Sequence, residues 1–321
     1  MTVLFTHPAC LEHDTGPGHP ERPDRLRAVL AALDAEEFKD LQREEAPLAE
    51  ESHLLLVHTV RHVDGVRQRV PAQGLAAIDP DTIVSPGSWV AARRAAGAVV
   101  AAVDLVMAKR ASNAFCAVRP PGHHAERTGA MGFCLFNNIA IGALHARQVH
   151  GVQRIAVVDF DVHHGNGTQD MFENDPDLFF ASTHQAGAYP GTGMAAERGI
   201  ANNIVNVPLP AGTGSEAWRA AMSGSLLPAL KGFAPDLILI SAGFDAHCDD
   251  PLASMRLTAE DFGWGTEAIC SVAEESCGGR VVSTLEGGYH LDALAASAAA
   301  HVRALMLADR DTSVAVGRSF A

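Results

Sequence analysis

Short apolar runs punctuate the chain at Val3–Thr6, Ala114–Val118, Ile155–Val158, Leu178–Ala181, Ile204–Val207, Leu237–Ile240 and Val281–Leu285, and most stop abruptly at polar residues, glycine or proline. Continuous rather than alternating hydrophobicity predicts strands buried on both faces. Between them, Pro23–Ala35, Ser88–Ala108, Asn137–Val149, Glu216–Leu230, Ala259–Glu275 and Leu291–Met306 carry apolar residues at helical spacing. This alternation predicts a doubly wound, mostly parallel α/β sheet flanked by helices. With 47% hydrophobic residues, 321 positions can build one large core. No Pro/Ser-rich linker or internal repeat divides the sequence, so one domain over 1–321 is expected.

In open parallel sheets, ligands gather beyond the carboxyl ends of the strands. Four runs end in unusual chemistry. After Ile155–Val158 comes Asp159-Phe160-Asp161-Val162-His163-His164-Gly165-Asn166-Gly167. Carboxylates and imidazoles at a buried strand end are costly unless something uses them. Alternate extended residues share a face, which groups Asp159, Asp161 and His163 as donors suited to zinc. A hydrogen-bonded turn is the plainer alternative.

Arg119-Pro120-Pro121-Gly122-His123-His124-Ala125 follows Ala114–Val118. Adjacent imidazoles can act as acid and base near neutral pH, bind metal, or stay solvated on a turn. Leu239-Ile240-Ser241-Ala242-Gly243-Phe244-Asp245-Ala246-His247 offers Asp245 as a third ligand or as a turn or cap residue. Thr284-Leu285-Glu286-Gly287-Gly288-Tyr289-His290 presents one of only two tyrosines beside a glycine pair. Its phenol is a candidate oxyanion donor or ordinary turn packing.

These segments together, with Gly18-His19-Pro20-Glu21-Arg22-Pro23, resemble the zinc-dependent histone deacetylase family of the arginase-deacetylase superfamily. Gly18–Pro23, Asn166 and Ser241–His247 are similar to class II members and bacterial histone deacetylase-like amidohydrolases. The resemblance implies one Zn²⁺ held by Asp161, His163 and Asp245, with His123 as general base and His124 as proton donor to the leaving amine. Asp159 would orient His123, Asn166 would orient His124, and Tyr289 would donate to the oxyanion. Class I relatives usually carry Asp where Asn166 stands; a neutral partner should raise the pKa of His124 less. A structural K⁺ is implied at Asp159, Asp161, His163, Ser182 and Thr183, and a more peripheral one at backbone around Phe172, Asp175 and Leu178.

Gly132 and Phe133 match one wall of the family's acyl-lysine tunnel. The opposite wall falls in Thr183–Pro190, which has no phenylalanine and offers His184 or Tyr189. Leu252 stands where polyamine deacetylases of the family carry a glutamate gatekeeper, which favours acyl-lysine or a neutral amide over acetylpolyamine, although Asp249 and Asp250 are near. The expected activity is removal of acetyl or related acyl groups from lysine side chains or similar amines. Acetylpolyamine or small-amide deacylation and a silent acyl-lysine binder are the alternatives. A binuclear manganese hydrolase would need ligands at Gly165, which has none, and His247.

A net charge of −14, from 38 acidic and 24 basic residues, disfavours nonspecific nucleic-acid binding and suits a cationic acylated peptide or simple solubility. Six cysteines form no Cys-x-x-Cys pair. Met1–His7 has no leader pattern, and no run of about 18 apolar residues stands out to span a membrane. A cytoplasmic protein without membrane contact is expected. Homo-oligomers are common among such relatives, and nothing in the sequence selects one.

Overall fold

The structure is a computed structural model that describes residues 1–318, with side chains through 309. Eight parallel strands form the main sheet: β1 (Thr2–Thr6), β2 (Gln42–Glu45), β5 (Asn113–Cys116), β6 (Ile155–Asp159), β7 (Leu178–Gln185), β8 (Ile204–Leu209), β9 (Leu237–Ala242) and β10 (Val281–Leu285). Their order is β2-β1-β5-β10-β9-β6-β7-β8, and a two-stranded antiparallel ribbon, β3 (Ala76–Ala77) with β4 (Ile83–Val84), lies apart. The helices are α1 (Pro23–Leu33), α2 (Glu51–Leu54), α3 (Val60–Arg69), α4 (Ser88–Met107), α5 (Asn138–His150), α6 (Asn166–Phe172), α7 (Ser215–Ala221), α8 (Leu227–Phe233), α9 (Ala259–Cys277) and α10 (Leu291–Arg318). Helices α4 and α5 pack together over the central strands, and α1, α9 and α10 form a second packed group. The sheet is parallel and helix-flanked, as expected.

Every residue of β5, β6, β9 and β10 is buried, which explains their unbroken apolar runs. These four are consecutive in the sheet, so the loops leaving them converge at one edge.

The structure corrects three expectations. Strand β2 was not foreseen: its sequence, Gln-Arg-Glu-Glu, lacks apolar periodicity because it is an edge strand, where charge discourages further pairing. The helix expected over Glu216–Leu230 is broken into α7, a π-helical turn at Met222–Leu226, and α8. Pro228 explains the break: it has no N–H for the preceding turn, and its ring crowds that turn's carbonyl. Finally, Leu291–Asp309 is long and apolar enough to cross a membrane, contrary to the sequence expectation, but it is mostly buried within the protein and packs against α9 and α1.

Candidate active site

The β6 carboxyl end and the following turn bring Asp161 and His163 against Asp245 from the β9 loop. His163 Nδ1 lies 3.1 Å from Asp161 Oδ1 and 3.0 Å from Asp245 Oδ2. Backbone amides aim both carboxylates: Gly287 N donates to Asp161 Oδ2 at 2.8 Å, and Val162 N to Asp245 Oδ1 at 2.9 Å. All three side chains are buried, with potential ligand atoms within 4.8 Å of one another. Two carboxylates and one imidazole at this spacing have the donor chemistry of a divalent-metal site. Burial opposes charge on His163, but Asp245 and Asp161 overcome it and hold its pKa well above the ordinary value. A bound cation would compete with that proton.

Glycine is required around this cluster by close approach. A Cβ on Gly243 would stand 1.9 Å from Asp161 Oδ2, and one on Gly287 would stand 2.2 Å from Asp245 Oδ2. Any side chain at either position would push a carboxylate aside.

The loop after β5 places His123 and His124 side by side, ring centroids 4.0 Å apart. His123 Nδ1 meets Asp159 Oδ2 at 2.9 Å, and its Nε2 lies 3.8 Å from Asp161 Oδ2. Burial works against its charge, but Asp161, Asp159 and Glu286 raise its pKa. His124 Nδ1 meets Asn166 Oδ1 at 2.8 Å. Burial, then repulsion by His123 and His163, holds its pKa well below the ordinary value. Adjacent rings in one pocket therefore differ in proton affinity: carboxylates surround His123, whereas His124 is buried beside two other imidazoles with only a neutral amide as its partner.

Tyr289 follows Gly288, whose φ of +116° favours glycine. Its ring lies edge-on to Phe133, centroids 5.8 Å apart, and beneath the Arg25 guanidinium at 4.8 Å. Burial, then Asp245, raises the phenol's pKa, keeping it a hydrogen donor. Phe133 also meets His19 edge-on at 4.8 Å, and Gly132 sits so close to His124 and Tyr189 that a Cβ would clash with both.

Of the two residues considered for the opposite wall, Tyr189 packs edge-on to His124, centroids 5.1 Å apart. His184 is turned inward instead: its ring nitrogens meet Ser182 Oγ and the Gly193 carbonyl. Leu252 is 40% exposed, on the loop that Asp250 anchors by accepting from Leu252 N and Tyr289 N. Ser182 is the register partner of Asp159, while the Thr183 hydroxyl accepts from Trp218 Nε1. The carbonyls of Phe172, Asp175 and Leu178 converge on Asn203 Nδ2 at 2.7–3.0 Å. His247 groups with Cys248 and Asp249 rather than with Asp161.

Sequence reasoning gave no role to several supports. Glu286 accepts from the amides of Gly122 and His123, tying the β10 loop to the histidine loop; a carboxylate preceding Gly-Gly at a strand end was a usable signal. Arg25 donates 2.5 Å bonds to the carbonyls of Glu286 and Gly288, and no local motif marks it.

Residues 19–305 match the histone deacetylase domain family. The chain is 40% identical over 311 residues to the histone deacetylase-like amidohydrolase of Pseudomonas aeruginosa, covering 90% of this chain and 81% of that one. It is 40% identical over 301 residues to the human polyamine deacetylase HDAC10, covering 89% of this chain and 44% of that one. The crystal structure of the HDA15 HD domain superposes with a TM-score of 0.90 at 37% identity, over 98% of this chain and 92% of that one. The converging strand-end loops thus lie in a fold and a sequence shared with deacetylases, and this chain belongs to the histone deacetylase family of hydrolases.

Proposed function

We propose that the protein is a zinc-dependent amidohydrolase, formed by one catalytic domain, that removes acetyl or related acyl groups from lysine side chains or similar amines. The observation carrying this reading is the pair His123–His124, with a carboxylate behind one ring and an amide behind the other, beside the buried Asp161–His163–Asp245 cluster. Those three residues would hold one Zn²⁺, which supplies Lewis acidity toward an amide carbonyl and lowers the pKa of water. His123, held basic by Asp159, takes the proton from the attacking water. His124 delivers a proton to the departing amine, and Asn166 sets the direction of its ring. Tyr289 donates to the oxyanion that develops on the carbonyl.

Phe133, packed against Tyr289, and Tyr189, packed against His124, would grip an extended alkyl chain, and the missing side chain of Gly132 lets Tyr189 and His124 come close. Leu252 offers no charge to a second ammonium, which favours acyl-lysine or a neutral amide. A structural K⁺ at Asp159, Asp161, His163, Ser182 and Thr183 belongs to the same reading. Free cysteines, five of the six buried, fit a reducing cytoplasm.

The test is a screen of the zinc-loaded protein against acetyl-lysine peptides, acetylpolyamines and small amides, repeated after chelation. Turnover of acyl-lysine that disappears with the metal is expected. Clear preference for acetylpolyamine would overturn the Leu252 argument, and full activity after rigorous chelation would overturn the mechanism.

A further inference from the structure

Asp104 lies near the end of α4, while His145 and His150 lie in the second half of α5. Their side chains meet although no sequence motif joins them. His145 Nε2 is 2.7 Å from Asp104 Oδ1, and His150 Nε2 is 2.6 Å from the same oxygen. Potential ligand atoms of all three lie within 4.8 Å of one another. Helix α4 leads to the start of β5 and α5 to the start of β6, so this cluster sits at the amino-terminal end of the sheet, opposite the deacetylase loops.

We propose that Asp104, His145 and His150 form a second metal site, for a divalent transition ion of the zinc class. Two imidazoles and one carboxylate are donors that borderline divalent ions favour. Tetrahedral coordination at about 2.0–2.1 Å sets donor atoms about 3.3 Å apart, so each imidazole need only withdraw slightly from the carboxylate. Among the described residues no lysine or arginine pairs with Asp104, so its charge is available to an ion. Neither ring's Nδ1 has a protein partner among the described residues, so each can carry the proton that Nε2 gives up on coordination.

The site is built rather than incidental. His145 is buried and fixed against His53, ring centroids 5.3 Å apart. His53 is a neighbour and not a ligand: its Nδ1 accepts from the Glu50 amide, which puts the proton of the neutral ring on Nε2. Burial would raise the Asp104 carboxyl, but the two imidazoles outweigh it and hold it below its ordinary value. Three protein donors leave a position for water, and the ion would pin α5 to α4. The trio His247–Cys248–Asp249 is the competing cluster, but its three residues are consecutive, two are exposed, and they follow the active-site residue Asp245.

Zinc alone is the probe. The full-length protein is dialysed against a range of free Zn²⁺, and bound metal per chain is measured for wild type, His150→Ala and Asp104→Asn. Both altered residues are partly exposed, so the fold should tolerate the changes. Wild type is expected to bind one equivalent more than either variant, and zinc should raise the melting temperature of wild type beyond that of the variants. Because the readout is this difference, it does not depend on what the active site holds. Equal stoichiometry in wild type and both variants, or retention of the extra equivalent in either variant, would overturn the proposal. Deacylase activity of the variants at saturating zinc should match wild type, because neither residue belongs to the active site; a loss there would mean that the substitutions disturb the fold and not a separate site.

Discussion

The Asp161–His163–Asp245 cluster and the Glu21–Arg25–Arg119 cluster are both buried, and both hold the Glu286–Tyr289 loop, but their charge is balanced in opposite ways. In the first, two carboxylates face one imidazole, and burial, then Asp161, raises the Asp245 carboxyl. In the second, one carboxylate takes two guanidiniums: Glu21 pairs with Arg25 at 3.1 Å and with Arg119 at 2.6 Å. Spare N–H groups there go to the carbonyls of Cys10, His13, Glu286 and Gly288. That cluster is complete from within and serves as scaffold. The other keeps surplus negative charge beyond the ends of β6 and β9, which a cation would complete. The comparison teaches that burial of charge does not identify a site: in the scaffold the excess positive charge is spent on backbone carbonyls, whereas the other cluster keeps an excess of carboxylate that only a cation can use.

The largest expected effect breaks the incomplete cluster. Asp245→Asn should lose bound metal and lower kcat/KM by about 10³-fold or more, since a catalytic metal contributes several kcal/mol of charge stabilisation. Metal analysis beside steady-state kinetics checks this; wild-type activity without metal would refute the assignment. Breaking the complete cluster should strike stability instead. Glu21→Gln strands two buried guanidiniums and should cost about 3–5 kcal/mol, read as a fall in the urea midpoint. Burial alone would raise the Glu21 carboxyl, but Arg119, His13 and Arg25 lower it to about 2. A folded pKa below the unfolded one gives stability that is full above about pH 4.5 and is lost as pH falls toward 2. Glu21→Gln should flatten that part of the acid-unfolding curve, and an unchanged slope would deny Glu21 the role.

Tyr289→Phe sharpens the contrast from the other side. It removes one hydroxyl from the edge of the incomplete cluster, so kcat should fall about 10²–10³-fold while metal content and urea midpoint stay near wild type. A drop in stability of the Glu21→Gln size would place Tyr289 with the scaffold instead.

The two clusters also differ in how far the sequence reveals them. The donors of the first stand at the ends of apolar runs, and a parallel sheet must bring such ends together. Buried strands are legible because burial on both faces demands unbroken hydrophobicity, whereas the edge strand Gln42–Glu45 is not, because solvent permits any polar residue there. Glu21 lies in Gly18–Pro23, a segment whose resemblance to class II members assigns it no role. Its importance comes from Arg119, distant in sequence, and no local pattern encodes that pairing. Asp104 and His145 are hidden for the same reason: a helix pair brings them together, not a spacing. The requirement for Gly243 and Gly287 is likewise a matter of three-dimensional approach, visible only once the carboxylates are in place.

The smallest effect concerns the neutral partner of His124. Asn166 Nδ2 donates to Glu126 Oε1 at 2.7 Å, which turns its oxygen toward His124 Nδ1. That ring nitrogen therefore carries the proton in the neutral ring and leaves Nε2 free. Asn166→Asp should favour the imidazolium and raise the pKa of His124, typically by ~1–3 units for an adjacent opposite charge. The new carboxylate would also face Glu126, and two carboxylates this close share a proton, so the single variant should show a muted effect. Adding Glu126→Gln removes that competition. A raised pKa keeps the acid form to higher pH, so the alkaline limb of kcat/KM should move upward, by about one unit or more in the double variant. An alkaline limb that stays in place in the double variant, with metal content unchanged, would show that the proton limiting the step does not sit on His124.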